Sequence, residues 1–403
     1  MTLSDLDKSK KYLLACSFGP DSMALFHLLR INKFNFACAI VNYHLREESD
    51  SEVLGLVKYA REFNIEVHVL DVKEKIEKNV EATCREIRYK FFKDLCSQFG
   101  YFATLVAHHQ DDLIETYLMQ KERQNNPIFY GISSETMIYG VNVIRPLLDY
   151  KKSELQKICD ENNVPYCIDK SNFDISIMRN KIRHNVVLKM IERDREEILQ
   201  EINNENASLE LLFKSIDIKR LSDVNYVSNL DFTSQCYALN YLVKNINVSY
   251  SLSKKNVGQI IKILKSSKPN GQFLIYKGLY LFKEYDYFEF GVNKAEPRDF
   301  SYTLLCPGIL DTPFFYLNFK MDTSDRNVDF EDYPLTIRNI KKSDFIIING
   351  YKAKAQRLLI DWKVPFRKRL VWPVILNKNG DVIYIPRFRN DFKLTEELSF
   401  YVK

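Results

Sequence analysis

Tyr12-Leu13-Leu14-Ala15-Cys16, then Ser17-Phe18-Gly19-Pro20-Asp21-Ser22, then Met23-Ala24-Leu25-Phe26-His27-Leu28-Leu29: an apolar run, a short polar turn and a stretch with apolar positions at helical spacing. The order reads as strand, tight loop, helix. Such a loop aims backbone N–H groups and a helix N-terminus at one point, which suits a phosphate. Gly19 can take φ > 0, and Ser22 can cap the helix or bond a phosphate oxygen. An ordinary strand-to-helix turn with a capping serine has the same pattern, so the rest of the chain must decide.

Outward from this stretch, residues 11 to about 145 alternate strand and helix. Phe36–Val41 is a buried-strand candidate, Ser51–Phe63 has helical spacing, Ile65–Leu70 alternates as a strand and Val80–Phe99 reads as a helix. Ala103–Ala107 is a strand and Leu113–Arg123 a helix. The βαβα order predicts a parallel sheet covered on both faces, with right-handed crossovers. Ligands of such sheets bind beyond the strand C-termini, near the switch in strand order. The Ser17–Ser22 loop, Asn42 after the second strand and His108 after the fourth should share that edge. Residues 146–215 read as mostly helical, and 216–325 as rich in Tyr, Phe, Asn and Ser. From 330 onward short strands mix with one basic helix.

The chain has 403 residues, 46% of them hydrophobic, enough for two or three domains. No apolar run approaches the ~20 residues needed to span a bilayer, and the polar start, Met1–Lys11, lacks the apolar stretch of a signal peptide. A cytoplasmic protein with no membrane role is expected. The eight cysteines are scattered without a CxxC pair, which predicts reduced thiols rather than a zinc or iron–sulfur centre. Net charge is +5, but Thr336–Lys393 holds 14 Lys/Arg against 4 Asp/Glu. A basic segment on a near-neutral chain suits a polyanion.

Three further constellations carry chemistry. Ala107-His108-His109-Gln110-Asp111-Asp112-Leu113-Ile114-Glu115-Thr116 places two histidines, two aspartates and a glutamate at a strand C-terminus. Charged groups gather this way around a metal, a cationic substrate or a proton to be moved. A capped helix start, with Asp111 or Asp112 as cap, explains one carboxylate but not the cluster. Arg179 and Arg183, in Met178-Arg179-Asn180-Lys181-Ile182-Arg183-His184, share a helix face four residues apart. Two guanidinium groups on one face suit phosphate. Arg85 and Arg88, in Cys84-Arg85-Glu86-Ile87-Arg88-Tyr89, lie early in a helix, where positive charge opposes the dipole and hints at an anionic contact.

Taken together and in order, these pieces resemble the tRNA(Ile)-lysidine synthetase family of the PP-loop (N-type) ATP pyrophosphatases. Ser17–Ser22 resembles the SGGxDS loop. Val41-Asn42-Tyr43-His44-Leu45-Arg46, with Ser49 and Glu52, resembles VDHxLRxxSxxE, and Arg85–Tyr89 resembles RxxRY. Ala107–Thr116 matches AHHxDDxxET throughout, and Ile144–Leu148 is like the RPLL turn. Asp169-Lys170-Ser171-Asn172 and Arg179–Arg183 resemble DxSN and RNxIR, while Lys352–Pro365 and Gly380–Pro386 resemble the last domain. The likeness covers residues 11–190 and 335–390. It departs from the family at Phe18, in place of a glycine, at Asn42 and Tyr43, in place of aspartate and histidine, and at Lys121–Pro127, in place of an RGxG-type loop.

The resemblance implies an α/β PP-loop (adenine nucleotide alpha hydrolase-like) catalytic domain over 1–215. A mainly helical middle domain over 216–330 and a small basic α+β domain over 331–403 would follow. It implies ATP-dependent ligation of L-lysine to C2 of the wobble cytidine in a CAU-anticodon isoleucine tRNA, through an adenylated base, with release of pyrophosphate and AMP. ATP and Mg²⁺ would be the cofactors and tRNA and lysine the partners, with a homodimer left open. The loop Ser17, Phe18, Gly19, Pro20, Asp21 and Ser22, with Asn42, would bind the nucleotide, and Asp21 the metal. Asp112, with Asp111 and His108 near it, would hold the lysine ammonium and take its proton; Arg88, Arg179 and Arg183 would steady phosphates. A tRNA thiolase, which would want paired cysteines, an amide-forming synthetase, which would want a glutaminase domain, and a non-catalytic tRNA-binding protein are the alternatives.

Overall fold

The computed structural model describes residues 2–45, 48–74, 76–77, 79–123, 127–168, 178–246, 250–319, 328–348, 350–386 and 400–403. Arg46, Gln124–Asn126, Asp169–Asn172 and Lys393, named above, lie outside them. Contacts divide the chain into two units: Met1–Asp217 with Asp231–Lys254, and Ile218–Leu230 with Lys255–Lys403.

The first unit is built on strands β1 (Lys11–Ala15), β2 (Asn35–Asn42), β3 (Val67–Asp71), β4 (Ala103–Val106), β5 (Glu135–Ile138) and β6 (Val141–Ile144). Between and after them run α1 (Pro20–Ile31), α2 (Ser49–Glu62), α3 (Val80–Phe99), α4 (Gln110–Glu122), α5 (Lys152–Glu161), α6 (Met178–Asn185) and α7 (Glu192–Ser215). The sheet order is β3-β2-β1-β4-β6-β5. All pairings are parallel except the β5–β6 hairpin, which the sequence pattern did not reveal.

Successive residues of β1 go to opposite faces. Tyr12, Leu14 and Cys16 join a core with Leu25, Leu56 and Leu155, from α1, α2 and α5. Leu13 joins Tyr89, Phe92 and Leu95 of α3 on the other side. In β2, Phe36, Cys38 and Ile40 repeat the first assignment, and Ala37 and Ala39 the second. Helices on both faces explain why these strands read as unbroken apolar runs rather than as alternation. Five of the eight cysteines are buried and Cys306 is exposed.

The chain runs outward from β1 to β2 and β3 on one side and then crosses to β4 on the other. The reversal of strand order therefore falls between β1 and β4. The turns leaving these two neighbours, Ser17–Gly19 and Ala107–His109, emerge side by side at the place where such sheets bind ligands.

The second unit contains α8 (Val224–Asn229) and α10 (Lys254–Leu264), while α9 (Phe232–Ile246) returns to the first unit. An antiparallel sheet β7-β8-β9 follows: Asn270–Tyr276, Leu279–Glu284 and Tyr287–Val292. The middle region is thus helical as far as Leu264 and β-rich beyond it. Next come β10 (Ser301–Leu304), β11 (Ile309–Asp311), β12 (Phe315–Asn318), β13 (Leu335–Asn339), β14 (Phe345–Ile348), β15 (Tyr351–Lys354), α11 (Ala355–Asp361), α12 (Phe366–Arg369), β16 (Pro373–Leu376), β17 (Val382–Tyr384) and β18 (Phe400–Val402). The expected boundary at 330/331 cuts through this unit, because β10 and β13 are hydrogen-bonded neighbours in the sheet β10-β13-β16-β17. One core, with Phe315, Leu335, Trp372 and Phe400, spans both sides of it.

Leu14 is wholly inaccessible on the central strand. Leu14→Ala should lower stability by about 2–5 kcal/mol, because the packed layers above and below cannot collapse into the space. Urea unfolding at neutral pH checks it.

Candidate active site

The loop after β1 is closed by one hydroxyl. Ser22 Oγ donates to the Gly19 carbonyl at 3.0 Å and accepts from the Ser17 N–H at 3.3 Å. The helix N-cap is Gly19, in extended conformation at φ −83°, with Pro20 at the first helical position. Two expectations are corrected here. Ser22 sits inside the first turn and ties the loop to itself instead of capping the helix. The left-handed residue is Phe18, at φ +58°, and not Gly19. Pro20 has no N–H to leave unsatisfied, and the next donors, on Asp21 and Ser22, have no helical carbonyl a turn behind them. These first-turn donors and the dipole behind them favour an anion.

The turn after β4 supplies the other wall. His109 is the N-cap of α4, and its N–H bonds the side chain of Asp112, three residues on, at Oδ2 and 3.1 Å. The cap is therefore the histidine, not Asp111 or Asp112. Its imidazole is only 2% exposed. His109 Nε2 lies 3.6 Å from Asp21 Oδ2 and 3.4 Å from Asp112 Oδ2, bridging the two turns. Burial works against its charge, but the Asp21 bond and the Asp112 field outweigh that and raise its pKa. His108 is the opposite case. Burial drives its pKa down to about 4, and Arg145 Nε donates to its Nδ1 at 3.0 Å, so the neutral ring carries its proton on Nε2.

Asp112 Oδ1 accepts from Arg179 Nη2 at 2.8 Å, with Arg183 Nη2 at 3.5 Å. Glu115, one turn on and wholly buried, accepts from Arg179 Nε at 2.8 Å and from Arg183 Nε at 2.5 Å and Nη2 at 3.0 Å. Burial alone would raise the Asp112 pKa, yet His109, His108 and Arg179 hold it down at about 2. A carboxylate so firmly ionised is a strong anchor for a cation and a poor proton acceptor. This runs against the base role expected for Asp112.

Of the residues singled out in sequence, Ser17–Ser22, Asp112, Arg179 and Arg183 therefore converge, with His108 beside them. Asp111 faces elsewhere: its Oδ1 accepts from Arg195 Nη1 of α7 at 2.5 Å, a buried pair that fixes helix to helix. Arg88 donates to the Tyr43 hydroxyl at 3.3 Å, and that hydroxyl donates to the Cys84 carbonyl. Asn42 Nδ2 donates to Asp50 Oδ1 at 2.6 Å, and His44 lies 3.3 Å from the same carboxylate. Neither Asn42 nor Arg88 has a recorded bond to the Asp112 cluster. Four residues were not assigned in sequence: His109, Glu115, Arg145 and Arg195. Glu115 follows Asp112 by three on one helix face, which was a readable signal. Arg145 and Arg195 come from distant elements and carried none.

Residues 2–190 match the family model of the PP-loop domain. The matched residues hold the parallel sheet, the polar turn after its central strand and the acidic helix start beside it, and so define a PP-loop domain. The chain is 29% identical over 409 residues to the tRNA(Ile)-lysidine synthase of Mycoplasma mycoides subsp. mycoides SC, covering 95% of this chain and 98% of the relative. It is 26% identical over 408 residues to that of Thermotoga maritima, covering 96% and 94%, and 40% identical over 181 residues to that of Ureaplasma parvum serovar 3, covering 43% and 54%. Residues 2–190 therefore carry a PP-loop domain, and over nearly its whole length the chain is similar to tRNA(Ile)-lysidine synthases.

Two outcomes follow from the charge arrangement. Glu115→Gln strands two guanidinium groups on a fully buried partner and should cost about 3 kcal/mol or more in unfolding free energy. His108 must stay neutral in the fold, so the unfolded chain takes up a proton that the native state refuses as pH falls from about 6.5 towards 4. Stability is lost across that window, by roughly 2 kcal/mol. Replacing the ring in His108→Gln should flatten the difference between unfolding midpoints at pH 7 and 4.5.

Proposed function

We propose that this protein ligates free L-lysine, through its ε-amine, to C2 of the wobble cytidine in a CAU-anticodon isoleucine tRNA. The reading rests on one observation: the AHHxDDxxET-type turn meets the phosphate loop at the switch in strand order through the Asp21–His109–Asp112 bridge. Full-length similarity to named tRNA(Ile)-lysidine synthases supports it.

The chemistry has two steps. The cytidine O2 attacks the ATP α-phosphorus, pyrophosphate leaves, and the base is activated as an adenylate. The lysine amine then attacks C2, AMP departs with the former O2, and one proton is released. The loop Ser17–Ser22, with its first-turn N–H donors, holds the departing pyrophosphate. Arg179, about a third exposed, is placed to follow negative charge as it moves between phosphates, whereas Arg183 is locked on Glu115. Asp112 anchors the lysine ammonium electrostatically, in exchange for part of its bond to Arg179. Neutral His108 presents an Nε2–H donor to the same edge.

Asp21 Oδ1 is buried without a hydrogen-bond partner, and no group of three or more His, Cys, Asp or Glu suited to a metal occurs among the described residues. Mg²⁺ commonly binds through one or two carboxylates plus substrate phosphates, so a single carboxylate fits it. Asp21 would hold that ion, which supplies charge neutralisation on the phosphates when bound.

In the second unit Lys341, Lys342, Lys352, Lys354, Lys363, Lys368 and Lys378 are exposed, while Arg338, Arg357 and Arg367 are ion-paired. The exposed lysines suit the tRNA backbone, with affinity that falls steeply as salt rises. The target base must leave the anticodon stack to reach the loop.

The test is incubation with ATP, labelled lysine and an unmodified CAU-anticodon isoleucine tRNA transcript. ATP-dependent incorporation with stoichiometric AMP is expected. Asp112→Asn should cut transfer by about 100-fold or more while tRNA binding persists, in line with loss of a charged transition-state contact. Normal tRNA binding with no lysine incorporation by the unaltered protein would refute the reading.

A further inference from the structure

Phe18 occupies the second position of the phosphate loop with φ +58°, a conformation that side-chain-bearing residues avoid. Such a conformation persists only where the surroundings enforce it. Three contacts do so. The ring is 6% exposed and belongs to the core that contains Leu56 and Ala60 of α2. The Phe18 carbonyl accepts from the Cys167 N–H at 2.9 Å. The ring also lies against a bare stretch of α2: a Cβ added at Gly55 would stand 2.7 Å from both Cε1 and Cζ of Phe18. Glycine is a poor residue for a helix interior, so its presence at the one point where the ring needs room ties the two positions together.

We propose that Phe18 and Gly55 act as a matched pair that presets the phosphate loop for a nucleoside triphosphate. The ring, seated in the notch left by Gly55, holds the loop backbone in its left-handed turn. The N–H groups at the start of α1 then face one point before the ligand arrives. A loop ordered in advance loses less conformational freedom on binding, and that appears as affinity. Phe18 is thus a positioning residue: it acts on the phosphates through the backbone and never touches them. The proposal rests on the nucleotide-binding reading of the loop and deepens it by naming what shapes it.

Equilibrium binding of ATP at 25 °C, with circular dichroism to confirm the fold, tests it. Gly55→Ala pushes the ring out of its seat and should weaken ATP binding about tenfold, while lysine transfer at saturating ATP changes less than twofold. Phe18→Gly removes the backbone strain together with the anchor and should also weaken binding. Phe18→Leu combined with Gly55→Ala gives the added methyl its room and should recover most of the affinity. The double variant keeps the test open if Gly55→Ala alone does not fold. Unchanged or tighter ATP binding in a folded Phe18→Gly or Gly55→Ala protein overturns the proposal, as does a double variant no better than Gly55→Ala. ATP binding by the unaltered protein without lysine transfer would sink the ligase reading and leave this one standing.

Discussion

His109 stands between two carboxylates at the point where the strand order of the sheet reverses. Asp21 belongs to the first turn of α1, after β1, and Asp112 to that of α4, after β4. Neither turn is held in register with the other by strand pairing, because both lie past the strand ends. A nearly inaccessible imidazole, made basic by the two acids it faces, supplies that register. Its own backbone N–H caps α4 through Asp112, so one residue joins the phosphate-facing turn to the acidic helix start. The architecture brings the two turns together, and the His109 ring, facing both carboxylates, spans them.

Behind this bridge the site is organised by compensation among charges that would each be unfavourable alone. Glu115 is wholly buried and accepts from both Arg179 and Arg183. Asp112 shares those arginines and stays ionised far below ordinary acidity. Asp111 meets Arg195 on a separate helix. Buried ions at this density demand full pairing. The pairing also divides the two aspartates of the motif. One faces the phosphate loop, and the other fastens α4 to α7.

The places where the chain departs from the motifs it resembles are absorbed locally. A phenylalanine in the loop takes the left-handed turn that glycine would take, and a glycine on the neighbouring helix gives its ring space. Tyr43 replaces a histidine and anchors α3 by its hydroxyl on the Cys84 carbonyl, beside Arg88. Asn42, where the motif it resembles has an aspartate, donates to Asp50, whose carboxylate also faces His44.

What the sequence by itself determined was whatever depends on neighbours along the chain. The unbroken apolar runs of β1 and β2 forced strands covered on both faces, and the polar turn between an apolar run and a helical pattern marked the phosphate loop. Spacing of three and four placed Asp112 with Glu115, and Arg179 with Arg183, on shared helix faces. Only the tertiary structure decided which partner each charge met. Nothing along the chain pairs Asp111 with Arg195, 84 residues on, or His108 with Arg145, 37 residues on. Nor does local pattern show that β10 and β13 are sheet neighbours across the expected domain boundary. The protonation of His108, His109 and Asp112 followed from those meetings, since a buried group takes its charge from what the fold sets against it and not from what precedes it in sequence.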